Sequence, residues 1–328
     1  METKNITYSA VFSAIFIILS IIAISTGIAY TLFLDIIVPI YICIVFFKLD
    51  RKYTILMALA SLLIVFFILG DVVSAIWMIQ GMAIGFICTL FINKNSYIFD
   101  DFLYASIMAT FIIIFIDIYF STLTGYSMIK DSEEILKTFI STMNSINPSL
   151  VLPEYFSSLV IYISVATVPV GTVIIVYLGT MIIGSKLNIL DKNTRRKYNI
   201  IKGFKNYGAL LCCSENAYRF SLIYILITEC IKKFNINISM DYIRVVIMSG
   251  EIICLYFIVK DSISFFTKYI MIKNKSKALY NISFILSMYL LLVNFKVMLV
   301  FLVISSCIIN RKMNLREKQI KVLNNALC

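Results

Sequence analysis

"VVSAIWMIQGMAIGFICTLFI", residues 72–92, carries no charged side chain over 21 positions. At about 1.5 Å rise per residue, a helix of this length reaches about 30 Å, the thickness of a bilayer's hydrocarbon core. Comparable runs recur along all 328 residues, of which 61% are hydrophobic and 14% charged. The mean hydropathy is +0.94, more apolar surface than a soluble domain can hide. The blocks are unbroken rather than alternating in polarity, which sets aside a transmembrane barrel. The expectation is an all-α, polytopic transmembrane helical bundle.

Working outward, spans are expected at Thr7–Ile28, Leu32–Phe47 with Pro39, Tyr53–Gly70, Val72–Ile92, Phe102–Ser121, Phe156–Ile183 with Pro169 and Gly171, Tyr207–Ile231 and Ile243–Val259. The run from Ile6 to Ile28 is longer than a signal peptide's apolar region and reads as a retained first helix. The block Leu279–Ile309 reads as one long helix, as two short ones turning at Asn294 and Lys296, or as a re-entrant hairpin, which brackets the count between eight and ten. Charge favours ten spans with both termini cytoplasmic. On that count all of the 29 Lys and Arg lie inside except Lys130, Lys137, Lys232, Lys233, Lys296 and Arg244, as the positive-inside rule requires.

Two hydrophilic connections organise the chain. Residues 186–206 form a basic cytoplasmic linker between a six-helix region, 1–185, and a four-helix region, 207–310, with a basic tail at 311–328. Residues 122–154 lie outside. Within them "DSEEILKTFISTMNSI" spaces Ile135, Leu136, Phe139, Ile140, Met143 and Ile146 as one face of an amphipathic helix on the outer surface.

The net charge of +11 sits in short loops between apolar blocks. That points to the bilayer and its anionic head groups as partners, and away from nucleic acid. The eight cysteines are scattered without a C-x-x-C pair and read as small core residues, and histidine is absent. Ser-His and Cys-His nucleophile pairs are thereby excluded, as are most transition-metal sites. No phosphate-cradling loop or hydrolase elbow is present. The chain reads as a non-enzyme, with no cofactor and no metal.

A charge within a span costs about 2.5 to 3.5 kcal/mol at the helix centre and needs a reason. Asp117 falls four residues inside the outer end of its span, about 6 Å deep. With Asp35, Asp71, Trp77 and Tyr119 it suggests an outward-facing, partly hydrated ligand pocket, although Asp35 and Asp71 also fit ordinary helix-end residues. Glu215 and Arg219 are four apart on one helix face and should pair. Glu251 has no opposite charge on its own helix, so it either finds a partner on another span or stays protonated. Small-residue faces, which let helices approach closely in lipid, occur at Gly81 and Gly85 and at Ala10 and Ala14.

"YSAVFSAIFIILS" at 8–20, "DIIVPIYICIVFFKLDRKYTILMALAS" at 35–61 and the terminal "NLREK" at 314–318 resemble the YybS-like family of uncharacterised bacterial membrane proteins. The first half looks like the substrate-binding S-components of energy-coupling-factor transporters. The resemblance also implies an acidic residue in the final helix and a proline after the basic loop, and neither stands between Val297 and Asn310 or between Lys202 and Leu211. It implies a bacterial inner-membrane location and docking of Ala10 and Ala14 on another membrane protein. A ligand would sit under residues 29–31, the turn at Asp71 and residues 122–154. The expected function is binding of a small solute, or a role associated with transport. The alternative is a membrane scaffold or interaction protein without a small-molecule ligand.

Overall fold

The computed structural model describes residues 2–27, 30–125, 127–146, 154–234, 241–274 and 277–325, and all of its regular secondary structure is helical. Seven described helices are long and apolar enough to cross a membrane. Those that fall between Met1 and Tyr198 are α1 (Glu2–Thr26), α2 (Tyr30–Lys48), α3 (Arg51–Leu69), α4 (Val72–Asn93), α5 (Ile98–Thr124) and α7 (Glu154–Lys186). The amphipathic α6 (Met128–Ile146) and the basic α8 (Lys192–Lys202) punctuate them. Then follow α9 (Glu215–Lys233), α10 (Asp241–Asn274), which holds the seventh apolar run, α11 (Lys277–Val293), α12 (Phe295–Met313) and α13 (Leu315–Asn325).

The chain divides into two compact units. The first comprises residues 1–95, 104–198 and 238–250, and the second residues 96–103, 199–237 and 251–328. Residues 192–198 of α8 fall in the first unit and residues 199–202 in the second, and the start of α5, residues 98–103, falls in the second.

In the first unit, α1 lies on α3 through a stripe of small polar residues and one ring. Ser13 and Ser61 share a 2.8 Å hydrogen bond, and the Ser9 hydroxyl donates to the Tyr53 carbonyl at 3.1 Å. Lipid supplies no hydrophobic drive for helix association, so such contacts and close packing hold the pair. Phe16 fills the space beside them and joins a core with Leu34, Val38, Ile42, Met57 and Met78. Pro39 has no N–H for the Asp35 carbonyl. The ladder before it widens to π-type over Phe33–Ile37, with the Val38 N–H reaching back to the Phe33 carbonyl. Gly70 closes α3 in the left-handed region at φ +62.

Gly81 and Gly85 bring α4 onto α2 at backbone distance. A Cβ at Gly81 would stand 2.6 Å from the Leu34 carbonyl oxygen, and one at Gly85 would stand 2.6 Å from that of Pro39.

In the second unit, two apolar clusters form around Phe265 with Cys212, Ile309 and Leu315, and around Leu302 with Ile263, Leu291 and Met298. Helix boundaries here differ from the sequence expectation. α9 begins at Glu215 rather than Tyr207, because the Ser214 hydroxyl accepts from the Ala217 N–H at 3.2 Å and caps the helix. α10 runs past Val259 to Asn274, because Lys260 and Asp261 are satisfied inside the protein rather than in a loop. The last block is broken at Asn294 into α11 and α12, of 17 and 19 residues.

Candidate functional site

The residues read as an outward-facing pocket fall into two groups in the first unit. At the start of α2 and α4, Asp71 caps α4 by accepting from the Val73 N–H at 3.0 Å and from the Ser74 hydroxyl. Ser74 shares a 2.7 Å bond with the Tyr30 hydroxyl, and the Tyr30 ring meets Trp77 edge-on at 5.8 Å. Asp35 and Asp71 both lie within electrostatic reach of Tyr30. Tyr30 and Ser74 are the members that sequence reasoning missed, because an aromatic and a serine at the mouth of an apolar run carry no charge to draw notice.

Asp117 belongs to the other group. It is 7% exposed, and its Oδ2 accepts from the Ser127 hydroxyl at 2.8 Å. It faces a cavity of about 40 Å³ lined also by Ile114 of α5, Ile129 and Ser132 of α6, and Ser164 and Pro169 of α7. That volume suits water or a small ion, since one water needs roughly 10 to 15 Å³ by such a measure. α6 thus covers a carboxylate rather than a metabolite-sized chamber. Tyr119 is not part of this group: it is exposed on the protein surface and packs against Phe115, with ring centroids 4.6 Å apart.

Among the small-residue faces, Gly81 and Gly85 are buried against α2. Ala10 and Ala14 are exposed, while their neighbours Ser9 and Ser13 face α3. The two alanines lie one helical step around from the packed stripe.

The second unit holds Glu215, Arg219 and Glu251, charges that the sequence reading places within spans. Arg219 donates to Glu215, and both are exposed at the start of α9. Glu251 is 5% exposed and receives Lys232 of α9 at 2.7 Å, while Lys232 also reaches Glu229 at 3.0 Å. The carboxylate thus has a cationic partner on another helix.

A denser network went unread in the sequence. Asp261 is fully buried and accepts from the Cys213 N–H at 2.9 Å and from Arg316 at 3.4 Å. Arg316 also donates to the Cys213 and Ser214 carbonyls, and its guanidinium lies over the rings of Tyr218 at 4.6 Å and Phe265 at 4.9 Å. Asp100 takes the Ser214 N–H at 2.7 Å, and Lys260 donates to the Leu211 carbonyl over the face of Phe99. Residues 211–214, between helices, are held from four directions. The available signal was Asp261 directly after an apolar run, which resembles the start of a loop.

The expected cysteine burial is uneven. Cys43, Cys88, Cys212, Cys213 and Cys254 are buried, Cys230 and Cys307 are exposed, and Cys328 lies outside the described residues. Burial, with the charge of Asp261 added, pushes the Cys212 thiol up to about 11. No group of three or more Cys, Asp or Glu placed to hold a metal ion occurs among the described residues.

The apolar helices make this chain a multi-pass helical membrane protein whose surface contacts lipid. No family model matches the chain, and neither the curated proteins nor the solved structures contain a match to it.

Proposed function

We propose that the protein is a solute-binding or transport-associated component of a bacterial inner membrane, with Asp117 as the residue that meets the solute and α6 as the cover over it. The observation that carries this reading is a carboxylate 7% exposed that faces a cavity beneath an amphipathic helix. A buried ionisable group in a membrane protein has a cost that function commonly repays. The cavity of about 40 Å³ has room for a small ion or a few waters, which sets the size of solute that this geometry admits. No catalytic role is assigned. The resemblance to YybS-like proteins and S-components supports the same reading.

The accompanying topology has ten spans with both termini cytoplasmic, α9, α11 and α12 joining the seven apolar helices. α11 and α12, at 17 and 19 residues, give about 26 and 28 Å at 1.5 Å per residue.

A second reading, a membrane scaffold without a small ligand, is favoured by the exposure of Ala10 and Ala14 on α1. Thermal unfolding of the purified protein across a panel of metabolites and monovalent cations separates the two. The first reading expects at least one stabilising ligand whose effect disappears in Asp117→Asn. Stabilisation that persists in the variant removes Asp117 from the site. No response in the wild type, together with a co-purifying membrane protein lost in Ala14→Leu, supports the scaffold.

A further inference from the structure

Pro169 lies inside α7 and has no N–H to give, so the carbonyl of Val165, one turn earlier, lacks its usual helical donor. Val165 and Pro169 both line the cavity of about 40 Å³ that Asp117 faces. The polar side chains around that cavity bring the same kind of atom. Asp117 contributes a carboxylate 7% exposed, and Ser132 and Ser164 contribute hydroxyls. The proton of the Ser164 hydroxyl is committed to the Val160 carbonyl at 2.9 Å, which leaves its oxygen to act as an acceptor. Among the described residues that line the cavity there is no lysine or arginine. The polar part of the wall is thus made of oxygens, one pair of them charged, and a cation is the occupant they fit.

Charge and size narrow the choice. An unbalanced charge is expensive inside a membrane, and the lining holds one ionisable group, so a single positive charge balances it. Calcium takes about six to eight oxygens and magnesium keeps several waters of its own. A cavity of about 40 Å³ holds roughly three waters at about 10 to 15 Å³ each. A sodium ion is satisfied by one carboxylate together with neutral oxygens, including main-chain carbonyls freed where a membrane helix is interrupted. It needs no cluster of acidic side chains, which the described residues do not offer.

We propose that the cavity beneath α6 is a sodium site. Asp117 supplies the charge, the Val165 carbonyl and the hydroxyls of Ser132 and Ser164 supply neutral oxygens, and water fills the remaining room. This rests on the reading of Asp117 as the residue that meets a solute, and gives that solute its chemical class. Ser127 fixes the carboxylate against the start of α6, because its hydroxyl donates to Asp117 Oδ2 at 2.8 Å and accepts from the Lys130 N–H at 3.3 Å.

The test uses the full chain in an uncharged detergent, freed of sodium by exchange into choline chloride. Thermal unfolding is followed as sodium chloride replaces choline chloride at constant ionic strength, and retained radioactive sodium is counted after rapid desalting. Sodium should raise Tm by several degrees and be retained, and Asp117→Asn should lose both effects. Pro169→Ala returns an N–H to the Val165 carbonyl and continues a helix that already runs through this position. It should fold as well as wild type and need several-fold more sodium for the same shift, so it remains informative if Asp117→Asn does not fold. Sodium with no effect beyond choline overturns the proposal, as does a full sodium response in either variant or a larger response to calcium. A metabolite that stabilises wild type but not Asp117→Asn while sodium is inert overturns the sodium site and leaves Asp117 as a solute-binding residue. Sodium and every metabolite inert removes both.

Discussion

Arg316 and Asp261 meet at 3.4 Å with both side chains withdrawn from solvent, 5% and 0% exposed. The guanidinium has left water for a carboxylate, two backbone carbonyls and two aromatic faces. Removing one member of such a pair strands the other, at about 3 to 5 kcal/mol. Arg316→Met should therefore lower thermal stability strongly, and Arg316→Lys, which keeps the charge but loses the flat stacking group, should fall between. Unfolding followed by the loss of helical circular dichroism in detergent checks this, and equal midpoints for all three proteins would refute it.

Gly81 and Gly85 make a second expectation. Because a new Cβ at either would stand 2.6 Å from a backbone oxygen of α2, and backbone cannot step aside as a side chain can, Gly81→Ala and Gly85→Ala should each destabilise by about 1 to 3 kcal/mol. Gly171, where a Cβ meets nothing within 4 Å, is the control. Its alanine variant should be at least as stable as wild type, since alanine in a helix interior is favoured over glycine by about 0.5 to 1 kcal/mol.

Cys212 gives a pH-dependent expectation. Burial first, and the charge of Asp261 second, move its thiol from an ordinary 9.0 up to about 11. A group raised on folding contributes its full stability below the unfolded value and loses it as pH climbs through the folded one. Between about pH 9 and 11, wild type should therefore lose stability relative to Cys212→Ala, by up to about 1.4 kcal/mol per pH unit. Parallel Tm curves for the two proteins over that window would contradict the assignment. At pH 8 Cys212 should also resist maleimide until the protein is unfolded, since the thiolate is the reactive form.

Much of the architecture was legible, for a physical reason. An uncharged run such as residues 72–92 has few alternatives to a bilayer-length helix. Helix ends were less legible, because the rule that charge marks a loop fails where charges meet inside the protein. Asp261 ended a span on paper and sits at the heart of one unit in space. Of the outward pocket residues, the chain order could not reveal that Asp117 turns to Ser127 while Tyr119, two positions on, faces the opposite way. Only the angular step of the helix separates them. The basic linker contributes to the positive charge that the sequence assigns to the cytoplasmic side, yet one of its lysines is turned into the protein.

That lysine is Lys197, 5% exposed, whose ammonium donates to the carbonyls of Phe91 at 3.0 Å, Ile92 at 3.1 Å and Lys94 at 2.6 Å, closing the end of α4. Hydrogen bonds from a charged donor contribute about 1.5 to 3 kcal/mol. Lys197→Met should thus destabilise the first unit by about 2 kcal/mol and expose residues 186–206 to limited proteolysis. The exposed neighbour Lys192→Ala should change neither. Identical digestion patterns for the two variants would count against the capping role.

Lys197 also carries two meanings at different times in the protein's life. While the chain is being threaded into a membrane, its charge weighs on which side residues 186–206 stay, as any loop lysine does. Once folding is complete, the same charge is enclosed by backbone oxygens and has nothing left to offer a lipid head group. A tally of positive residues is a record of the chain in transit, and the finished surface has to be counted again.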